Sequence, residues 1–101
     1  MRSVRSKNGV PVRLTDERWL HITAEHAEMA GHADDVLAAI ENPEAVYEGK
    51  AEELLAVKEV EAGKYVVAVY KEVSKEDGFV IAAYFMSGIK RMEKMEKVWP
   101  R

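Results

Sequence analysis

At 101 residues, with 48% apolar and 33% charged side chains, the chain has the makeup of one small globular domain and none of the bias of a disordered or fibrous segment. The absence of cysteine excludes a disulfide framework, a thiolate metal site and a cysteine nucleophile, and points to the cytoplasm. A net charge of −3 is the wrong sign for a generic nucleic-acid binder, although cations gather at both ends and acids in the middle, so that termini lying together would create a basic side.

Residues 1–9 are polar and basic and read as a flexible tail, leaving 10–101 as a single domain. Val10 to Leu14 suits a short strand, with Pro11 near its start. Thr15 is then an N-cap, and Asp16 and Glu17 fall in a first turn where the helix dipole favours acids. The helix is expected from Asp16 to Met29, closed by Gly31. Trp19, Ile22, His26 and Met29 recur every three or four residues and share its apolar face. A second helix, Ala33 to Glu41, presents Val36, Leu37 and Ile40 on one side. It stops at Asn42-Pro43, because the residue before a proline avoids the helical region.

Ala45 to Tyr47 reads as a short edge strand. Glu53 to Val60 reads as a strand followed by the hairpin loop Glu61-Ala62-Gly63, whose glycine suits a left-handed position. That loop sets Lys58 opposite Val66, Ala56 opposite Ala68 and Leu54 opposite Tyr70. From Tyr65 to Phe85, two runs of β-branched and aromatic residues flank a polar loop ending at Gly78, the pattern of a central hairpin. With Val73 opposite Phe79, Tyr70 meets Ala82 and Ala68 meets Tyr84. Leu55, Val57, Val67, Val69, Ile81, Ala83 and Phe85 then form an apolar face expected beneath the helices. Lys58, Ala68, Tyr70, Ala82 and Tyr84 form the other, a shallow groove. After Met86-Ser87-Gly88, the basic segment Ile89 to Lys97 allows a short helix, and Val98-Trp99 an edge strand or plug. The expected fold class is α+β, two N-terminal helices packed on a mostly antiparallel β-sheet of about four strands.

Several chemistries are excluded. There is no phosphate-cradling glycine loop, no metal-ligand spacing and no serine nucleophile elbow, so neither a metal nor a cofactor is expected. His21 and His26 are five residues apart, which keeps them off one helix face. No apolar run is long enough to span a membrane, and no signal-peptide core opens the chain.

Thr15-Asp-Glu-Arg-Trp-Leu-His-Ile with Glu25-His26-Ala-Glu, then Asn42-Pro43 with Val46, and finally Gly78-Phe-Val-Ile-Ala-Ala-Tyr-Phe, resemble the RelE-like nucleases of phages and prokaryotes. These are grouped with barnase, EndoU and colicin nucleases as the BECR fold. The resemblance covers residues 10–101. It implies a RelE/barnase-like fold and a metal-independent endoribonuclease of toxin type, with RNA as substrate and a small antitoxin as partner. The chain departs from the family at two places: Glu25-His26-Ala27-Glu28 stands where members commonly carry Arg-His-Pro-Glu, and Ala82 where they carry Thr.

Metal-free RNA cleavage requires a base to take a proton from the attacking 2′-hydroxyl, an acid to protonate the leaving 5′-oxygen, and cations around the crowded phosphorane. His26, Lys58, Tyr84 and Ser87 are the candidate catalytic residues, and Lys90, Arg91 and Tyr70 the candidates for holding nucleic acid. An imidazole takes or gives a proton near neutrality. Lys58, Lys90 and Arg91 offset phosphate charge, and the hydroxyls donate hydrogen bonds. Each residue also has a purely structural role open to it: His26 suits a helix C-terminus, Lys58 a strand lysine reaching water, and the tyrosines sheet packing with wet hydroxyls. The register puts Lys58 and Tyr84 on the face away from the helices and His26 on the helix stripe. One site holds both only if the helix end overhangs a sheet edge or the C-terminal segment wraps beneath it. The missing hydroxyl at Ala82 and the acidic balance fit an alternative, a catalytically inactive homologue that binds a protein partner, an antitoxin or its own copy in a homodimer. The groove itself allows a third reading, a small-molecule site.

Overall fold

Thr15 opens the first helix by accepting the Arg18 backbone N–H at 3.1 Å, as its sequence position requires. In the computed structural model, which describes residues 1–101, that helix is α1, Asp16–Glu25, and the second is α2, Ala33–Glu41. Seven strands accompany them: β1 Arg2–Arg5, β2 Pro11–Leu14, β3 Ala45–Glu48, β4 Leu54–Glu61, β5 Lys64–Glu72, β6 Gly78–Met86 and β7 Glu96–Trp99. Short 3₁₀ segments occupy Ala27–Met29 and Lys90–Lys94. No helix is long and apolar enough to cross a membrane.

All seven strands join one sheet in the order β1-β2-β6-β5-β4-β3-β7. Neighbours are antiparallel except β2 and β6, which run parallel at Val12–Gly78 and Arg13–Phe79. Gly78 permits that approach, because a Cβ there would stand 2.8 Å from the Lys71 carbonyl oxygen and 3.3 Å from Val12 Cγ2. The expected sheet of about four strands beneath two helices is therefore overturned by a seven-stranded mixed sheet. Short outer strands account for the difference. In β1 only Val4 turns inward between exposed Arg2, Ser3 and Arg5, which leaves almost no apolar signal in the segment read as a tail. β3 lies inside the sheet, because β7 returns to pair along its free side.

The β4–β5 register is the expected one, with Leu54 opposite Tyr70, Ala56 opposite Ala68 and Lys58 opposite Val66. The turn is shorter than expected: Glu61 pairs with Lys64 across a bulge at Val60, and Ala62 and Gly63, the latter at φ 76°, make the loop. The β5–β6 register is not. The loop pairs Lys71, not Val73, with Phe79 and so sets Tyr70 opposite Val80; a bulge beyond that pair then skips Ile81 and sets Val69 opposite Ala82 and Val67 opposite Tyr84. One extra residue moves every later side chain of β6 to the other face.

The face assignment reverses on β4 and β5, whereas on β6 Ala83 and Phe85 face the helices and Tyr84 the outer side, as expected. The helices cover Leu54, Ala56, Val66, Ala68, Tyr70, Val80 and Ala83, together with Val12, Leu14 and Val46, in the main core. Met29, Val36 and Ile40 enter it fully buried, each stabilising the fold by about 1.5–3 kcal/mol relative to exposure. The opposite, outer face holds a smaller cluster of Ala45, Tyr47, Leu55, Val57 and Val67, capped by Met92 of the C-terminal 3₁₀ segment. Val4 of β1 and Val98 and Trp99 of β7 reach the same main core, and Lys7 Nζ lies 5.0 Å from the Trp99 ring centroid. The sheet thus curls around the helices until its two edges meet. The basic ends come together at this seam, but Glu48, Glu52 and Glu72 line it beside Asn8 and Arg101, so it is of mixed charge.

Candidate functional site

The site is built where α1 ends beside a free stretch of β6. Only Gly78 and Phe79 of β6 pair with β2; from Val80 to Met86 the strand pairs with β5 alone. The expected helix to Met29 stops at Glu25. His26 leaves the helical region (φ −131°, ψ 79°) while its N–H still donates to the Ile22 carbonyl at 2.8 Å. The tighter 3₁₀ turn that follows returns Met29 to the core and leaves the His26 side chain 39% exposed.

His26 lies over the β6 edge, its ring centroid 5.9 Å from that of Tyr84 with the planes inclined at 36°. A Glu28 carboxylate oxygen lies 3.4 Å from Nδ1, which makes Nε2 the nitrogen available for proton transfer. Tyr84 is half-buried on the outer face. Burial raises its phenol above the ordinary value, and the nearby Arg91 guanidinium opposes that rise. Met86, Ser87, Gly88, Lys90 and Arg91 line an open cavity of about 350 Å³ where the chain leaves β6. His26, Tyr84, Ser87, Lys90 and Arg91 thus gather at the C-terminal end of one strand. The chain matches no family model, no curated protein and no solved structure.

Lys58 and Tyr70 do not join them. Lys58 lies on the helix-facing side of the sheet, and its Nζ donates to the Asn42 carbonyl at 3.0 Å, closing the C-terminus of α2. The slip in register is what separates it from Tyr84. Tyr70 is 1% exposed in the main core, and burial, reinforced by Glu72, pushes its phenol upward. A side chain so enclosed offers no surface to RNA.

Two further residues border the site without having been singled out in the sequence. His32 packs edge-on against Phe85 at 5.0 Å, and its Nδ1 lies 2.8 Å from Asp35 Oδ2. Its signal is the position just before α2 with an acid three residues later. Tyr65 lies across from Met86, and its phenol is raised first by Glu59, then by burial and Glu44. The β4–β5 register already sets it opposite Glu59.

Chemically, the arrangement offers a proton acceptor at His26 and, because the Tyr84 phenol stays protonated at neutral pH, a neutral hydroxyl donor. Ser87 adds a second hydroxyl, and Lys90 and Arg91 an anion-binding rim. Glu28 flanks His26, and Glu44 and Glu59 set a negative border beyond Tyr65.

Proposed function

We propose that the protein is a cytoplasmic, metal-independent endoribonuclease of toxin type that cleaves RNA by attack of the 2′-hydroxyl on the adjacent phosphorus. The observation that carries this reading is the tilted packing of His26 beside Tyr84, with Arg91 close enough to bias the phenol. In the forward step His26 Nε2 takes the 2′-hydroxyl proton and the oxygen forms its bond to phosphorus. Lys90 and Arg91 offset the added negative charge on the phosphoryl oxygens. The P–O5′ bond breaks as Tyr84 gives its proton to the leaving oxygen, producing a 2′,3′-cyclic phosphate and a 5′-hydroxyl. Ser87 donates a hydrogen bond to a phosphoryl oxygen. The resemblance of residues 10–101 to RelE-like nucleases supports the same chemistry, and such enzymes are held in check by a small antitoxin, which we propose as the partner.

The test is cleavage of a mixed RNA pool by purified protein in EDTA, with His26→Ala and Tyr84→Phe alongside. Cyclic-phosphate ends from the wild type, with rates reduced by about 10²–10⁴-fold in His26→Ala, are expected. Clean wild-type protein that leaves every RNA intact would sink the proposal.

A second reading is favoured by one specific observation. Ala82 shares the outer face with Tyr84, two positions away, and supplies a methyl group where the family carries a hydroxyl. On this reading the chain is an inactive homologue acting as a protein-interaction module, pairing with an antitoxin or its own copy. It expresses without harm to the host, and His26→Ala leaves its binding unchanged.

A further inference from the structure

The outer face of β6 carries a second set of residues beyond the candidate site. Phe79, Ala82 and Tyr84 all lie on it, the bulge supplying the extra residue between the first two. Phe79 is half-buried, and the Arg13 guanidinium sits 5.6 Å from its ring centroid while also bonding Asp77. Lys71, exposed on β5, lies directly across from Phe79. The next residue, Glu72, turns to the opposite face, where Ser6 and Asn8 hold its carboxylate at 2.5 and 2.9 Å. Between the Phe79 end and the Tyr84 end stand only Ala82 and Val69, opposite one another and half-buried. The 3₁₀ cover docks farther across the sheet, with Met92 against Tyr47, Leu55 and Val57.

We propose that this strip is a track for single-stranded RNA leading into the candidate site, with Phe79 stacking a base and Arg13 and Lys71 holding phosphates. The ribonuclease reading supplies the bond that is cut; binding along the track stands apart from it. Phe79 and Tyr84 are five residues apart on one strand, roughly 15 Å, the length of about four stacked bases. A low strip with an aromatic ring and cations at each end is the arrangement that binds single strands irrespective of sequence. Charge decides the class of occupant. Arg13, Lys71, Lys90 and Arg91 border the strip; Asp77 offsets the first, and Glu28, Glu44 and Glu59 stand beyond the Tyr84 end, so the strip itself keeps a cationic border suited to a polyanion rather than to an apolar protein segment. A duplex does not fit, because its bases are stacked inside the helix and cannot reach Phe79.

The experiment uses a labelled 2′-O-methyl RNA octamer, which binds but cannot be cleaved, and an ordinary dinucleotide substrate. Affinity is measured against salt for wild type, Phe79→Leu and Lys71→Gln, the folded state of each being checked by thermal melting. Phe79→Leu is expected to weaken octamer binding about tenfold. Lys71→Gln is expected to lower the salt slope by about 0.7, the value of one single-strand phosphate contact. Dinucleotide cleavage stays unchanged in both variants. Octamer affinity that neither variant alters overturns the track, and dinucleotide cleavage by the same samples shows that the ribonuclease reading survives. A wild type that cleaves nothing yet binds the octamer through Phe79 upholds the track and removes the nuclease. Duplex RNA bound as tightly as the single strand overturns the track, as does an absence of RNA affinity, which would hand the face to a protein partner.

Discussion

Met92 gives the sharpest test of the architecture, because its burial depends on which face of the sheet the C-terminal segment covers. It is 3% exposed and packs with Ala45, Tyr47, Leu55, Val57 and Val67, a face that the sequence pattern assigned to the helices. Met92→Ala removes Cγ, Sδ and Cε. At about 0.8 kcal/mol per buried methylene-sized group, the transfer loss is about 2.4 kcal/mol. A residual cavity brings the total to about 3 kcal/mol, inside the range of about 2–5 kcal/mol for buried Met→Ala changes. In a domain of this size that lowers the melting midpoint by about 15 °C. Urea denaturation checks it: the midpoint falls while the slope stays constant, since the surface exposed on unfolding hardly changes. Exposed Lys94→Ala on the same segment is the control and stays within about 0.5 kcal/mol of wild type. A loss below about 1 kcal/mol for Met92→Ala would refute the reasoning, for the outer face would then lack its cover and Lys90 and Arg91 their support.

Lys58→Ala should leave RNA cleavage unchanged and cost about 0.5–1.5 kcal/mol of stability through the lost bond to the Asn42 carbonyl; a tenfold fall in kcat/KM would return Lys58 to the site. Alkaline pH reports on the buried phenol. The Tyr70 pKa is raised above its ordinary 10.0 in the fold, so the unfolded chain loses that proton first. The resulting stability is fully present below pH 10 and is lost as pH rises beyond it, by up to about 1.4 kcal/mol per unit. Denaturation at graded alkaline pH should show this decline in wild type and a shallower one in Tyr70→Phe, and equal slopes would count against the burial assigned to Tyr70.

Local rules carried the sequence analysis wherever one short motif decides the outcome. Thr15 starts α1, Asn42-Pro43 ends α2, and Gly63 turns the β4–β5 hairpin, whose register from Glu59 back to Leu54 is the expected one. The β5–β6 register depends on a bulge at Ile81 that no glycine or proline announces, and a slip of one there reverses every side chain after it. The faces were ambiguous for a related reason. Leu54 and Ala56 on one side of β4 and Leu55 and Val57 on the other are all buried, so alternation carries no sign. The pairing of β2 with β6 is tertiary and leaves no local mark apart from Gly78. At the candidate site, His26, Tyr84, Ser87, Lys90 and Arg91 come together, whereas Lys58 and Tyr70 followed the wrong face. The apparent conflict between His26 and Tyr84 resolves through geometry: the early end of α1 lets the imidazole reach around the open edge of β6.

The parallel contact at Gly78 also orders the assembly of the chain. β3 through β6 zip through nearest-neighbour hairpins, whereas docking of β1 and β2 joins groups such as Ser6 and Glu72, 66 residues apart. Closing so long a loop carries an entropic penalty that only the finished meander and α2 can offset. The β1–β2 hairpin is therefore the last unit to arrive and the first to open in the native state. Its opening frees Gly78 and Phe79 and lengthens the unpaired edge of β6, so amide exchange there proceeds by local opening while the β4–β5 core waits for global unfolding.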